Sequence, residues 1–383
     1  MVYITVKASP RYRQMSLEDL LFGGGEYHTL ISNNETNTVT YERKFVTERL
    51  KGFFYKREFI AWLRSFNESH RSLFDAPRDS LYREFYIPKR SGGLRKIDAP
   101  NDSLMVALRD LKKFLASVPT ETYHTSAYAY INGRSTVDAV RRHQMNESQW
   151  FAKFDLHNFF GSTTPDFLRR MLAMVFPFSE IMSDPEARPE LVRALDLCFK
   201  DGGLPQGTPI SPFLTNLMMI PIDFTLSRKF REFKTPTGPQ TMIYTRYADD
   251  FLVSSRYDFR FRDAEAVIGE TLAEFDAPFH LNTQKTRYGS RGGRNWNLGV
   301  MLNKDNEITV GHKRKKELQN MLFSYAMDKK NGKSWDLHDV QVMDGLRSYY
   351  KMVEGEAIDR IVAHVSGKTG VDIPAEIRND LTA

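Results

Sequence analysis

The sequence predicts an α+β protein in which helices cover one face of an antiparallel or mixed sheet. Three observations carry that expectation. Strand-like runs, among them "WFAKFDLHNFF" (150–160) and "YTRYADDFLVS" (244–254), alternate with amphipathic stretches through the middle of the chain. Strand-forming "LYREFYIPK" and "LRKIDAP" flank a Gly-Gly turn, the pattern of a hairpin. Roughly the last 75 residues read as helix.

Each element has a local reason. Residues 1–78 read as mainly helical, and the aromatic-rich "GFFYKREFIAWLRSF" (52–66) buries one face. "SLMVALRDLKKFLA" (103–116) has the apolar spacing of an amphipathic helix. In "TTPDFLRRMLAMVF", Thr164 suits a helix cap and Pro165 the first helical position. The same logic starts a helix at Ser211-Pro212, with Pro221 expected to kink or end its first part. Asp263 is expected to cap a helix that sets Ala264, Val267, Ile268, Thr271, Leu272 and Phe275 on one face. "FHLNTQKTRYG" and "NWNLGVMLN" read as a strand pair.

Composition bounds the function class. A chain of 383 residues holds two or three packed units. Hydrophobic residues at 41% and charged residues at 27% give the balance of a soluble globular protein. The single cysteine, Cys198, excludes an internal disulfide framework and a cysteine-rich zinc site, and fits a reducing compartment. The opening residues lack the basic-then-apolar pattern of a secretory signal, and no apolar run approaches the ~20 residues of a membrane span. A cytoplasmic protein without membrane contact is expected. The net charge of +6 is concentrated in "KRSGGLRK" (89–96), "QKTRYGSRGGR" (284–294) and "HKRKK" (312–316). Clusters of this kind attract phosphate backbones.

The carboxylates raise the sharpest question. Asp249 and Asp250 suit a turn, because Asp bonds its own backbone there. Yet the Gly expected of a tight hairpin is missing, and adjacent anions repel unless a cation or base lies close. Asp155 closes another strand, and if the two strands are neighbours it faces Asp249 at the sheet edge. Hard oxygen donors so placed suit Mg²⁺. Two such ions about 3.5–4 Å apart can activate a 3′-hydroxyl and stabilise a leaving pyrophosphate. From the residues alone, a plain turn and an Asp155 paired with a nearby lysine stay equally open.

Six segments in order resemble the successive motifs of reverse transcriptases: "YIPKRSGGLRKIDAP", "FAKFDLHNFF", "GGLPQGTPISPFLTN", "YTRYADDFLVS", "LNTQKT" and "NWNLGVMLN". The resemblance covers roughly residues 80–350 and points to the bacterial branch. It implies a right-hand polymerase fold. An N-terminal extension would fill 1–78, the fingers 79–150 with a further part at 185–205, the palm 151–290, and the primer-grip hairpin and helical thumb 291–383. It implies an RNA-directed DNA polymerase, a nucleotidyltransferase, whose Asp155, Asp249 and Asp250 hold two Mg²⁺ ions, with Mn²⁺ as a substitute. Lys285 would stand near the leaving pyrophosphate as a proton donor. Phe160 would exclude a sugar 2′-hydroxyl, although it reads as core packing on its own. Lys89 and Arg95 would grip the triphosphate, and Gln206 and Gly207 would contact the nucleotide. Trp296, Lys313, Arg314 and Lys315 would touch nucleic acid.

"INGRSTVDAVRRH" (131–143) resembles a retron segment with Asp138 in place of Asn, but Asn297-Leu298-Gly299 departs from the retron Val-Thr-Gly. Retron, group II intron-like and other defence-associated subfamilies stay open. The absence of HNH or RNase H patterns suggests a compact enzyme copying a dedicated structured RNA into an RNA–DNA duplex from deoxynucleoside triphosphates. An anti-phage defence role with an effector or toxin protein partner would suit such an enzyme. The alternatives are an RNA-binding scaffold or toxin-regulating partner, and template-independent or protein-primed DNA synthesis.

Overall fold

A computed structural model describes residues 3–7, 31–33, 38–42, 56–88, 92–118, 123–235, 238–292 and 299–382. Strands β1 (Tyr3–Lys7), β2 (Ile31–Asn33) and β3 (Thr38–Glu42) form an antiparallel sheet in the order β1-β3-β2. These strands were not expected in region 1–78, whose other described elements are helical. "YITVK" and "TVTYE" are rich in β-branched residues, which favour a pleated strand over a helix. Helices α1 (Lys56–Ser69) and α2 (Arg71–Asp75) follow. Phe59, Leu63 and Phe66 are buried, as the aromatic pattern predicts; Phe53, Phe54 and Tyr55 lie outside the described residues.

β4 (Tyr82–Pro88) and β5 (Leu94–Pro100) pair as the expected hairpin, with Gly92 and Gly93 at positive φ in its turn. Asn101 caps α3 (Asp102–Ser117) by accepting from Leu104 N at 2.9 Å. α4 (Thr136–Met145) begins in a capping box of Ser135 and Asp138, a structural use for the acid at that position. After β6 (Trp150–Asp155), Thr164 and Pro165 open α5 (Pro165–Leu172) as expected. α6 (Phe178–Ser183) and α7 (Ala187–Asp196) lead to α8 (Ser211–Arg231), which runs on through Pro221 rather than ending there. Met218, Met219, Ile220 and Ile222 around that proline are all buried, so packing outweighs its cost of about 3 kcal/mol.

β7 (Phe233–Thr235) and β8 (Gly238–Gln240) form a short hairpin before β9 (Ile243–Tyr247) and β10 (Asp250–Ser255). In α9 (Phe261–Glu274) the cap is Arg260, and Asp263 sits in the first turn, where its charge still suits the helix dipole. Its expected apolar face is observed: Ala264, Ile268, Thr271 and Leu272 are buried, and Val267 and Phe275 pack beside them. β11 (Arg287–Ser290) pairs with β6, whereas β12 (Met301–Leu302) pairs with β13 (Ile308–Thr309). The expected pairing of "FHLNTQKTRYG" with "NWNLGVMLN" therefore does not form among the described residues; β11 instead extends the sheet beside β6, and β12 pairs with the nearby β13. α10 (His312–Lys330), α11 (Leu337–Thr369) and α12 (Ile373–Thr382) complete the helical C-terminal region.

The central sheet has the order β11-β6-β10-β9, and every neighbouring pair is antiparallel. Alternation sends Ala152, Phe154, Phe251 and Val253 into the large core built with α8 and α9. On the opposite face Phe151 and Leu252 meet Val140, Val300 and Leu302 in a smaller core. A third core, including Leu318, Leu322, Tyr325, Val340 and Ile358, holds the C-terminal helices together. Each such buried side chain contributes about 1.5–3 kcal/mol of transfer free energy. No helix among the described residues is long and apolar enough to cross a membrane.

Candidate active site

The β9–β10 turn is built without glycine, and Ala248 carries a φ of +56°. Such a backbone persists only when its surroundings fix it. Arg246, fully buried behind the sheet, supplies that restraint. Its guanidinium donates to Asp223 Oδ2 at 2.7 Å, to Asn216 Oδ1 at 3.2 Å and to the Ala248 carbonyl at 3.2 Å. Tyr244 donates its hydroxyl to the same Asp223 at 2.8 Å. In front, Leu156 N donates to the Asp249 carbonyl at 3.0 Å, tying the turn to the end of β6. The register then sets Asp250 directly opposite Asp155. The expectation of neighbouring strands holds, but it is Asp250 rather than Asp249 that stands opposite Asp155, with Asp249 one residue earlier in the turn.

Two lysines flank them. Lys285 Nζ donates to Asp155 Oδ1 at 2.8 Å and Oδ2 at 3.1 Å, and Lys153 Nζ donates to Asp250 Oδ2 at 2.8 Å. Lys153 was not among the residues singled out from sequence, although its spacing of two from Asp155 puts it on the same face. Asp249 has no such lysine. Burial first, then the charges of Asp250 and Asp155, push its carboxyl up to about 6, with Lys285 opposing the rise. Among the described residues no group of three His, Cys, Asp or Glu side chains is arranged to hold a metal ion. Magnesium does not require such a group, since it commonly takes one or two carboxylates and completes its shell with water and phosphate oxygens. Asp155 and Asp250, in register on adjacent strands with Asp249 beside them, are hard oxygen donors of the type that holds a divalent cation together with water and phosphate oxygens.

The strand end leads into a one-turn helix, Phe159–Ser162, that separates the two phenylalanines. Phe159 is buried and packs on Phe279, with ring centroids 5.1 Å apart. Phe160 is only half-buried, and its carbonyl accepts from Leu204 N at 3.0 Å. That bond fixes the "LPQG" loop beside the carboxylates. A Cβ at Gly203 would lie 2.0 Å from the Gly161 carbonyl, so the approach requires glycine. Gly207 has φ +119°, and a Cβ there would meet Asp98 O at 2.9 Å. Gln206 O accepts from Asp98 N at 2.8 Å, so the loop is latched to the root of the β4–β5 hairpin. Lys200, buried, donates to Asp98 at 2.8 Å and also bonds Glu84 across the same root. Hydrogen bonds from Lys200 and Lys96 hold the Glu84 carboxyl down to about 2.

Arg95 is exposed near the hairpin tip; Lys89 lies outside the described residues, as does Trp296. In the basic run at the start of α10, Lys313 projects into solvent with a side chain 91% exposed. Arg314 instead donates to the Gly299 carbonyl at 2.6 Å, and Lys315 pairs with Glu354 at 2.8 Å. Glu354 sits at a kink in α11 and also accepts from Val310 N at 2.9 Å. Arg314 and Lys315 thus brace the C-terminal helices, which a run of like charges in sequence does not reveal. His143, the last residue of the retron-like segment, is buried between Ser254 Oγ at 2.6 Å and Thr245 Oγ1 at 2.8 Å. Burial, then Arg142, holds its imidazole down to about 3 and therefore neutral.

Residues 87–319 match the family model described as "Reverse transcriptase (RNA-dependent DNA polymerase)". The retron Ec83 reverse transcriptase of Escherichia coli is 28% identical over 73% of this chain and 85% of its own length. The retron Mx65 reverse transcriptase of Myxococcus xanthus is 27% identical over 74% of this chain, which spans 65% of that relative. Among solved structures, the apo telomerase of Candida tropicalis has a TM-score of 0.46 at 13% identity, covering 93% of this chain and 69% of that one. That likeness carries no weight here. The family match takes in the turn and second strand of the hairpin, the carboxylates and the "LPQG" loop together. With its α+β polymerase fold and its assembled carboxylates, the chain belongs to the reverse transcriptase family of RNA-dependent DNA polymerases.

Proposed function

We propose that the chain extends a primer 3′-hydroxyl with deoxynucleotides by two-metal phosphoryl transfer at Asp155 and Asp249, with Asp250 in support. The observation that carries this reading is Asp250 directly opposite Asp155, with the adjacent Asp249 carboxyl raised by burial and by the charges of both. Bound divalent cations would neutralise the phosphates and favour the ionised 3′-oxygen. The protein's own groups do the rest. Asp155 and Asp249 present their oxygens from a clamped turn, so little reorganisation is needed at the moment of reaction. The 3′-oxygen bonds the α-phosphorus as the α–β bridging bond breaks. Lys285, whose side chain is 58% exposed, can leave Asp155 and supply a proton to the departing pyrophosphate.

In this reading the β4–β5 hairpin belongs to the fingers, with Lys89 and Arg95 on the triphosphate. The four-stranded sheet is the palm, and α10–α12 form the thumb, with Trp296 in the primer grip and Lys313 facing the duplex. Gln206 and Gly207 meet the nucleotide, and Phe160 closes the space beneath its sugar. The relatives' retron names support a structured non-coding RNA as template and a cytoplasmic setting. The test is single-nucleotide extension of a primed RNA template with Mg²⁺ or Mn²⁺, alongside sequencing of nucleic acid co-purified with wild-type and Asp249→Ala protein. Metal-dependent incorporation is expected from the wild type only, with RNA retained by both. Undiminished synthesis by Asp249→Ala would overturn the assignment.

A further inference from the structure

Residues 123–131 form a loop that no part of the site description uses, and it is unusually well fixed. Ala127 bridges Arg246 in parallel, and Tyr128 N donates to Arg246 O at 2.9 Å. The loop is therefore bonded alongside β9, close to the end of the strand that turns into Asp249. The Ala129 carbonyl accepts from Asn216 Nδ2 at 2.7 Å, the same side chain whose oxygen receives Arg246. From the other side, Arg134 donates to the carbonyls of His124 and Ala127, each at 2.7 Å, and of Tyr123 at 3.1 Å.

Ser126 to Ala129 are buried, yet Tyr130 is 58% exposed and holds φ +58°. Glycine would adopt that backbone freely, so a large side chain there is retained against a local cost. Burial, then the charges of Asp249 and Tyr247, raise the phenol pKa, and Arg95 opposes them. Through Ala129 and Asn216, Tyr130 is tied to the Arg246 clamp that holds the carboxylate turn. It lies beyond β9, whereas Lys285 lies just before β11 at the opposite edge of the sheet.

We infer that Tyr130 is a further substrate-contacting residue, whose ring packs on the base pair formed between the incoming deoxynucleotide and the template. This rests on the polymerase reading of the same site. A phenol ring carries no positive charge for a triphosphate, which Arg95 and Lys285 serve. It offers a flat apolar face, and every base presents a matching one, so the contact tolerates all four nucleotides. The rigid loop holds the ring in place before substrate arrives, which limits the ordering cost on binding.

The test is single-nucleotide extension by the full chain with Mg²⁺, comparing wild type with Tyr130→Phe, Tyr130→Ala and Tyr130→Gly. The phenylalanine variant should keep the wild-type KM for deoxynucleotide within about twofold. The alanine and glycine variants should raise it about tenfold for all four bases, with kcat changed less. Tyr130→Gly should melt no lower than wild type, because it relieves the backbone, and this separates lost recognition from lost folding. Wild-type KM values in the alanine and glycine variants would overturn the inference while leaving the polymerase reading intact. A phenylalanine variant as impaired as alanine would overturn the stacking role. A wild type that incorporates nothing would overturn the polymerase reading and this inference with it.

Discussion

The two faces of the β9–β10 hairpin handle charge in opposite ways. Behind the sheet, Arg246 and Asp223 are each about 1% exposed and pair with one another, with Asn216 and Tyr244 completing their bonds. In front, Asp155 takes Lys285 from the turn before β11 and Asp250 takes Lys153 from β6, while Asp249 is left among like charges. The rear network is closed and has no capacity for a ligand. The front set carries three carboxylates against two lysines. Buried charge alone does not mark a functional site; charge left incompletely compensated does.

Exchanging substitutions between the faces breaks that contrast most directly. Asp249→Ala should lower nucleotide incorporation at least about a thousandfold while leaving the thermal midpoint equal or higher, checked by extension assays and melting curves. Asp223→Ala should do the reverse damage first. It strands a buried guanidinium and should cost about 3–5 kcal/mol in denaturant titration. Phe160→Ala should raise ribonucleotide use relative to deoxynucleotide by about a hundredfold, the equivalent of about 3 kcal/mol in the barrier. Unchanged sugar selectivity would return Phe160 to plain core packing beside Phe159.

Acid titration sharpens the comparison further. The Asp249 carboxyl rises from 3.8 to about 6 on folding, so the metal-free folded state binds the proton more tightly. Its contribution to stability is present below about pH 4 and is lost as pH rises through about 6. Divalent cations compete with that proton. The rise in melting temperature produced by Mg²⁺ should be full at pH 7 and shrink below about pH 6. The Asp223 pair, sealed from solvent, should show no such metal effect. The smallest change is expected from Lys153→Met, which frees Asp250 and should alter apparent Mg²⁺ affinity by only a few fold, measured by calorimetry.

Much of the front face was legible because its signals are local or ordered along the chain. Asp155 closes an aromatic strand, Asp249 and Asp250 mark a turn, and Thr164-Pro165 announces a helix. Lys153 was also within reach, since only strand period separates it from Asp155. The rear clamp was not, because Arg246 meets Asp223 only once α8 lies across the sheet. Lys200 meets Glu84 and Asp98 from more than a hundred residues away, and nothing in "CFKDGG" announces those partners. Arg314 and Lys315 misled for the converse reason. A basic run looks alike whether its charges face a ligand or the protein's own carbonyls and carboxylates. Pro221 and the β12–β13 pairing show tertiary packing overriding local preference.

The latch at the root of the β4–β5 hairpin has a mechanical consequence. Asp98 is bonded through its backbone to Gln206 and through its side chain to the buried Lys200, which also holds Glu84 on the partner strand. Both strands are thus clamped at the same level, while Tyr86, Ile87, Leu94 and Arg95 above it are exposed. The hairpin is a cantilever, stiff at its base and compliant along its outer ribbon. Any inward stroke over a nucleotide has to come from flexing beyond Glu84 and Asp98, so the loop beneath keeps its position while the tip moves.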